Sequence, residues 1–258
     1  IARLLNKKSM SIQVIKKNQQ AAGQFNGGEI LENKPIGFPR EGGHLRPYSN
    51  LFYWSHAWSD QGSTIGLHPH QGFEILSFVL EGSIEHFDTG DNEWKTLNAG
   101  DAQIIRAGSG ISHSEKLNAG AHMFQIWLDP DLGKTLDQKA TYSDYKNDEF
   151  PLEERDGIRV KTYHGANAPL QMDTKGVEIK EYFISGNQFK IDLEKDSVHS
   201  FYVVKGAIEI DGKKVESDDF FKVESQNELL LKSEPNTVLF SVSQPSKLAY
   251  RTYAERIL

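Results

Sequence analysis

The middle of this chain reads as strands rather than helices. FEILSFVLEGSIEHFDTGDNEWKTLNAGDAQIIRAG (residues 73–108) breaks into short β-branched and aromatic runs. Between them lie EG, DTGDNE and NAGD, which carry turn residues. Short strands with a turn about every ten residues predict a sandwich or barrel. Helical periodicity is confined to two short candidates, Pro130–Gln138 and the tail Tyr250–Leu258.

A second strand-rich block echoes the first. FVLEGSIEHF (78–87) lines up with YVVKGAIEID (202–211), and NAGDAQII (98–105) resembles ESDDFFKV (216–223). A period of about 120 residues is too long for a solenoid repeat and predicts two similar β domains in tandem. The stretch DQKATYSDYKNDEFPLEERDG (137–157) is polar and charged, which is linker composition. The expected division is therefore an N-terminal domain over 10–136, a linker over 137–157 and a C-terminal domain over 158–258.

Composition narrows the function classes. The 258 residues are 38% hydrophobic and 25% charged, as suits a globular chain. The longest apolar run, Ile75 to Leu80, is broken by Ser77 and is far short of the roughly 20 residues of a membrane helix. The opening IARLLNKKSM has no apolar stretch of signal-peptide length. Whether Met10 is the natural start stays open at this level. There is no cysteine, so disulfides, thiolate metal sites and cysteine nucleophiles are excluded, and a cytoplasmic home is expected. The net charge is −7, and lysines pair only at Lys7-Lys8, Lys16-Lys17 and Lys213-Lys214. A phosphate-binding surface needs more clustering than that, so direct nucleic-acid binding is not expected.

The candidate chemistry sits in two short stretches. GLHPHQG (66–72) holds His68 and His70; ISHSEKL (111–117) holds His113 and Glu115 at the same spacing. In a strand, side chains two apart share a face, so each pair projects together. If the two strands are neighbours in a barrel, the pairs converge inside it. Three imidazoles and one carboxylate suit Fe, Mn, Ni, Cu or Zn, with one or two positions left open for a ligand. The plain alternative is four satisfied or exposed polar residues. The duplication serves as an internal control: His68 and His70 fall opposite Asp192 and Glu194, and His113 opposite Leu231. Residues present in one copy only are better candidates for chemistry than residues of the shared frame. His44, His56, His86, His122, His164 and His199 read as ordinary polar residues, with His56 the one to check because it lies just upstream of the first pair.

HPHQGFEILSFVLEGSIEHFD, followed by GDAQIIRAGSGISHSE, resembles the pirin family, a branch of the cupins. The close likeness runs from Gly66 to Pro130 and is most specific in AGSGISHSE. It implies an all-β bicupin of two tandem jelly-roll-like β-barrels with few short helices. It also implies one metal, usually iron as Fe(II) or Fe(III), in the N-terminal barrel and none in the C-terminal one. The family's ligands fall on His68, His70, His113 and Glu115. Other cupins use the glutamate of the first motif, here Glu74, which is the alternative ligand. One departure is visible: pirins often carry Asp-Pro-Phe ahead of the first motif, where this chain has YSNLFYW (48–54).

Two functions follow from the resemblance. Some pirins resemble quercetin 2,3-dioxygenases, which implies an oxidoreductase acting on a flavonol or catechol, with Glu115 as the base that accepts the substrate's hydroxyl proton. Leu76 and Phe78 are then the expected apolar walls for a flat aromatic ligand. The alternative is a metal-dependent or redox-sensing regulator that binds a protein partner. Sugar isomerisation, which cupin barrels also host, is a weaker third. Fold alone does not choose among them.

Overall fold

A computed structural model describes residues 11–257, so Met10 and the nine residues before it lie outside the described part, as does Leu258. The first half carries β1 (Ser11–Ile15), β2 (Ala21–Phe25), β3 (Ile30–Ile36), β4 (Leu51–Ser59), β5 (Ser63–His70), β6 (Glu74–Glu81), β7 (Ser83–Asp88), β8 (Trp94–Asn98), β9 (Ala102–Arg106), β10 (Ile111–Leu117) and β11 (Ala121–Leu128). The second half repeats the order as β12 (Thr141–Tyr145), β13 (Leu152–Arg155), β14 (Ile158–His164), β15 (Glu178–Ile184), β16 (Gln188–Asp192), β17 (Ser197–Lys205), β18 (Ala207–Ile210), β19 (Lys213–Glu216), β20 (Phe220–Glu224), β21 (Glu228–Ser233) and β22 (Thr237–Pro245). The two helical candidates condense to α1 (Leu132–Thr135) and α2 (Ala254–Ile257).

These strands form four sheets. Two have seven strands, in the orders β12-β9-β6-β11-β4-β3-β2 and β1-β20-β17-β22-β15-β14-β13, and two have four, β5-β10-β7-β8 and β16-β21-β18-β19. The seven-stranded sheets pack face to face around one core that contains Trp54, Phe78 and Phe124 from the first and Tyr163, Tyr202 and Phe240 from the second. Each four-stranded sheet covers the far side of one of them. The protein is thus all-β, with each repeat an open two-sheet jelly roll rather than a single closed barrel. The layering explains the sequence pattern. β6, β11, β17 and β22 lie in the inner sheets with both faces covered, and they read as near-continuous apolar runs. β16 and β21 lie in an outer sheet and alternate buried with exposed.

The duplication is visible in the turns. Gly82 and Gly206, the shared glycine of the two aligned segments, both have positive φ, at 69° and 80°. A Cβ at Gly82 would stand 3.0 Å from the Ala121 backbone, and one at Gly206 would stand 2.5 Å from Thr237 Oγ1. Asp101 and Asp219 correspond as well. Asp219 accepts from Lys17 N (3.0 Å) and Lys16 Nζ (2.7 Å); Asp101 accepts from Asn147 N (2.8 Å) and Lys146 Nζ (3.0 Å).

Strand pairing does not follow the boundaries expected from composition. β1 pairs with β20, so the N-terminal strand completes the second repeat's sheet. β12, inside the expected linker, pairs with β9 and completes the first repeat's sheet. β13, at the end of the same stretch, pairs with β14. Each repeat lends its first strand to the other. The polar look of 137–157 has a simple cause: β12 and β13 are edge strands, half-buried or exposed, and edge strands need few apolar side chains.

Candidate metal centre

β5 and β10 run antiparallel, with His68 opposite His113 and His70 opposite Ile111, and a register shift follows between His113 and Glu115. The alternation then points all three imidazoles into the space between the four-stranded sheet and β6, β9 and β11. His70 Nε2 and His68 Nε2 each lie 2.9 Å from His113 Nε2. His68 Nδ1–H donates to Gly66 O at 2.8 Å; a carbonyl only accepts, so the Nε2 of that ring carries a lone pair. Three Nε2 atoms this close cannot all present lone pairs without a proton or cation among them. Burial, reinforced by the neighbouring imidazoles, pushes His70 and His113 down to about 3. A proton is therefore a poor occupant at neutral pH, whereas a metal ion suits neutral imidazoles.

Glu115 Oε2 lies 4.0 Å from His113 Nε2. Its carboxylate is buried and accepts from Ser77 Oγ (3.2 Å) and Gln125 Nε2 (2.6 Å). Ligands 2.0–2.1 Å from one ion stand roughly 2.8–3.0 Å apart when adjacent and about 4.0–4.2 Å apart when opposite. The two imidazole separations of 2.9 Å fit adjacent ligands of one octahedral sphere. The three histidines form the tight cluster; the carboxylate stands just outside it.

Other expected site residues lie elsewhere. Glu74, the alternative ligand, accepts from Asp173 N (2.6 Å), Thr174 N (2.9 Å) and Thr174 Oγ1, and so ties the first repeat to a loop of the second. Leu76 and Phe78, the expected pocket walls, are fully buried in the central core, with Phe78 4.8 Å from the Tyr163 ring and 5.0 Å from the Phe240 ring. The expectation carried the parity of His68 and His70 across the turn at 71–73 into a different strand. On β6 the odd positions face the imidazoles, as Ser77 shows. His56 projects from the opposite face of its sheet, bonding Tyr202 OH and His122 Nδ1, each at 3.1 Å.

Two groups of residues were missed. The first is an aromatic wall. Trp127 stands edge-on to His70 at 4.9 Å and contacts Phe73 (5.5 Å) and Phe38 (5.2 Å); Phe52 packs at a tilt against Phe73 at 4.5 Å. Phe52 lies within YSNLFYW, the stretch that departs from the family pattern. The second is a polar lining. His86, fully buried opposite Glu115, bonds Gln103 (2.7 Å) and Asp144 (3.0 Å). The duplication held the signal for this lining. At the places of Ser77, His86, Gln103 and His113 the second repeat has Phe201, Ile210, Phe221 and Leu231, all in its apolar core. Buried polar groups cost free energy unless they are bonded, and one repeat alone carries this set. Asp192 and Glu194, the expected counterparts of His68 and His70, are exposed, while Ile191 and Leu193 face inward.

Residues 44–128 match the family model described as Pirin. This segment is similar to the pirin family. A quercetin 2,3-dioxygenase of Escherichia coli K12 is 43% identical over 75 residues, 28% of this chain and 32% of that protein. Human pirin is 36% identical over 101 residues, 38% of this chain and 34% of that protein. These matches therefore span about a third of the relatives' length. Solved structures extend the likeness beyond residues 44–128, as fold alone. The E. coli bacterial pirin YhhW in complex with nickel(II) superposes with a TM-score of 0.75 at 22% identity, covering 92% of this chain and 100% of that one. A quercetin 2,3-dioxygenase from Acinetobacter baumannii gives 0.76 at 17% identity, covering 92% and 79%.

The clustered imidazoles set an acid limit. His70 and His113 titrate near 3 in the fold and near 6.5 when unfolded. Between those values the unfolded chain binds more protons, so the metal-free protein loses stability as pH falls from about 6.5 towards 3. Urea midpoints of metal-free protein should therefore drop between pH 7 and pH 5. Replacing both residues with asparagine should flatten that slope; an unchanged slope would place the acid sensitivity elsewhere.

Proposed function

We propose that the protein is a metal-dependent dioxygenase acting on a flat aromatic substrate with adjacent oxygen atoms, of the flavonol or catechol class, quercetin included. The observation that carries this reading is the meeting of three imidazoles, with His68 Nε2 and His70 Nε2 each 2.9 Å from His113 Nε2, directly beside an aromatic wall. The likeness to a quercetin 2,3-dioxygenase of Escherichia coli supports the substrate class. A transition-metal ion held by His68, His70, His113 and Glu115 would supply Lewis acidity to the substrate's oxygens. The donor set suits nickel, manganese, copper and zinc as well as iron, and iron is the ion we propose. Glu115 is the base: its carboxylate accepts the substrate's hydroxyl proton while Ser77 and Gln125 hold it in place. Trp127, Phe73 and Phe38 offer faces and edges to the substrate ring. Among the described residues no helix is long and apolar enough to cross a membrane. A cytoplasmic setting is part of the proposal.

The test is direct. Protein loaded with iron(II) and analysed for metal content is given quercetin under air, and loss of the flavonol's visible absorbance is followed alongside oxygen uptake. Coupled loss of both is expected. Full metal occupancy with no turnover of any flavonol or catechol would overturn the enzyme and favour a regulator that binds a protein partner.

A further inference from the structure

Glu115 Oε2, the carboxylate oxygen 4.0 Å from His113 Nε2, takes a 2.6 Å hydrogen bond from Gln125 Nε2. The same amide's Oε1 accepts from Trp127 Nε1–H at 3.0 Å. An indole N–H only donates, so it fixes the amide with oxygen towards Trp127 and nitrogen towards Glu115. Trp127 in turn stands edge-on to His70 and packs on Phe38 and Phe73. One indole therefore touches the aromatic wall, an imidazole of the centre and the residue that holds the carboxylate. Strand pairing puts Ser241 at the corresponding place of the second repeat, since Phe124 faces Phe78 as Phe240 faces Tyr202. Ser241 donates to the Lys180 carbonyl, at 3.4 Å. The amide belongs to the repeat with the histidines.

We propose that Gln125 is a positioning residue for the metal centre: oriented by Trp127, it holds the Glu115 carboxylate facing the imidazoles, within reach of an ion they bind. This rests on the metal-binding reading above. Without the amide, Oε2 loses its strongest partner, and the carboxylate is free to turn towards Ser77 alone. Partners that orient a metal ligand typically contribute 10–100-fold in metal affinity.

The experiment titrates nickel(II) alone into metal-free protein by calorimetry. Wild type should bind one equivalent, and Gln125→Leu should bind roughly 10–100-fold more weakly. Trp127→Phe keeps the ring and removes only the N–H; it should weaken binding in the same direction by less. In a Glu115→Ala background, Gln125→Leu should change nothing further, because the amide acts through that carboxylate. If Gln125→Leu does not fold, Trp127→Phe, with and without Glu115→Ala, carries the test. Wild type that binds no nickel would overturn the metal reading and this proposal with it. Wild type that binds while Gln125→Leu binds equally well would overturn this proposal alone. A loss of the same size in the Glu115→Ala background would show a merely structural role and also overturn it.

Discussion

His113→Ala should abolish metal retention. His113 Nε2 is the atom that both other imidazoles approach to 2.9 Å, and the ring is fully buried. Its removal leaves His68 and His70 on one strand with no partner across the centre. The loss of affinity should exceed the roughly 10–100-fold that an outer partner contributes. Thermal melting with and without metal reads the effect independently of turnover. A ligand that binds only the folded state stabilises it by about 2.7 kcal/mol at 100 times its dissociation constant, so wild type should shift and the variant should not. Glu74→Gln is the control that should keep its metal, because that carboxylate is engaged by Asp173 and Thr174. A His113→Ala protein that holds a full equivalent with wild-type affinity would remove the centre as described.

Trp54→Ala costs about 3–5 kcal/mol and unfolds both repeats together. Trp54 is fully buried where the two seven-stranded sheets meet. Its ring lies edge-on to Phe124 (5.4 Å) in its own repeat and to Phe220 (5.4 Å) and Phe240 (5.8 Å) in the other. Truncation leaves a cavity shared by both sheets, and neither can close it without moving the other. Its indole Nε1 is buried with no hydrogen-bond partner, so Trp54→Phe removes an unsatisfied donor along with some volume. That variant should lose much less than the alanine one. Urea unfolding followed by circular dichroism reads both effects. Two separate transitions in wild type would show that the repeats fold independently and that the shared core does not couple them.

Much of this was legible in the order of residues. The β-branched and aromatic runs around FEILSFVL and YVVKGAIEID, bounded by turn residues, announced strands, and within a strand each side chain's face follows from its neighbour's. The same rule put His68 with His70 and His113 with Glu115 on common faces. The aligned glycines Gly82 and Gly206 exposed the duplication, because a turn that admits no Cβ constrains both copies alike.

What the chain order could not supply was pairing across space. Leu76 and Phe78 were assigned to the wrong side because parity does not survive a turn; which face of β6 meets the histidines is decided by how the outer sheet is laid over the inner one. β1 and β12 read as a domain's first strand and a linker, since nothing local tells an edge strand which sheet will accept its backbone. Glu74 and Glu115 are both buried carboxylates beside histidine-bearing strands. Only the tertiary structure sends one to a loop of the other repeat and the other to the imidazoles, because the partners of a buried charge come from distant parts of the chain.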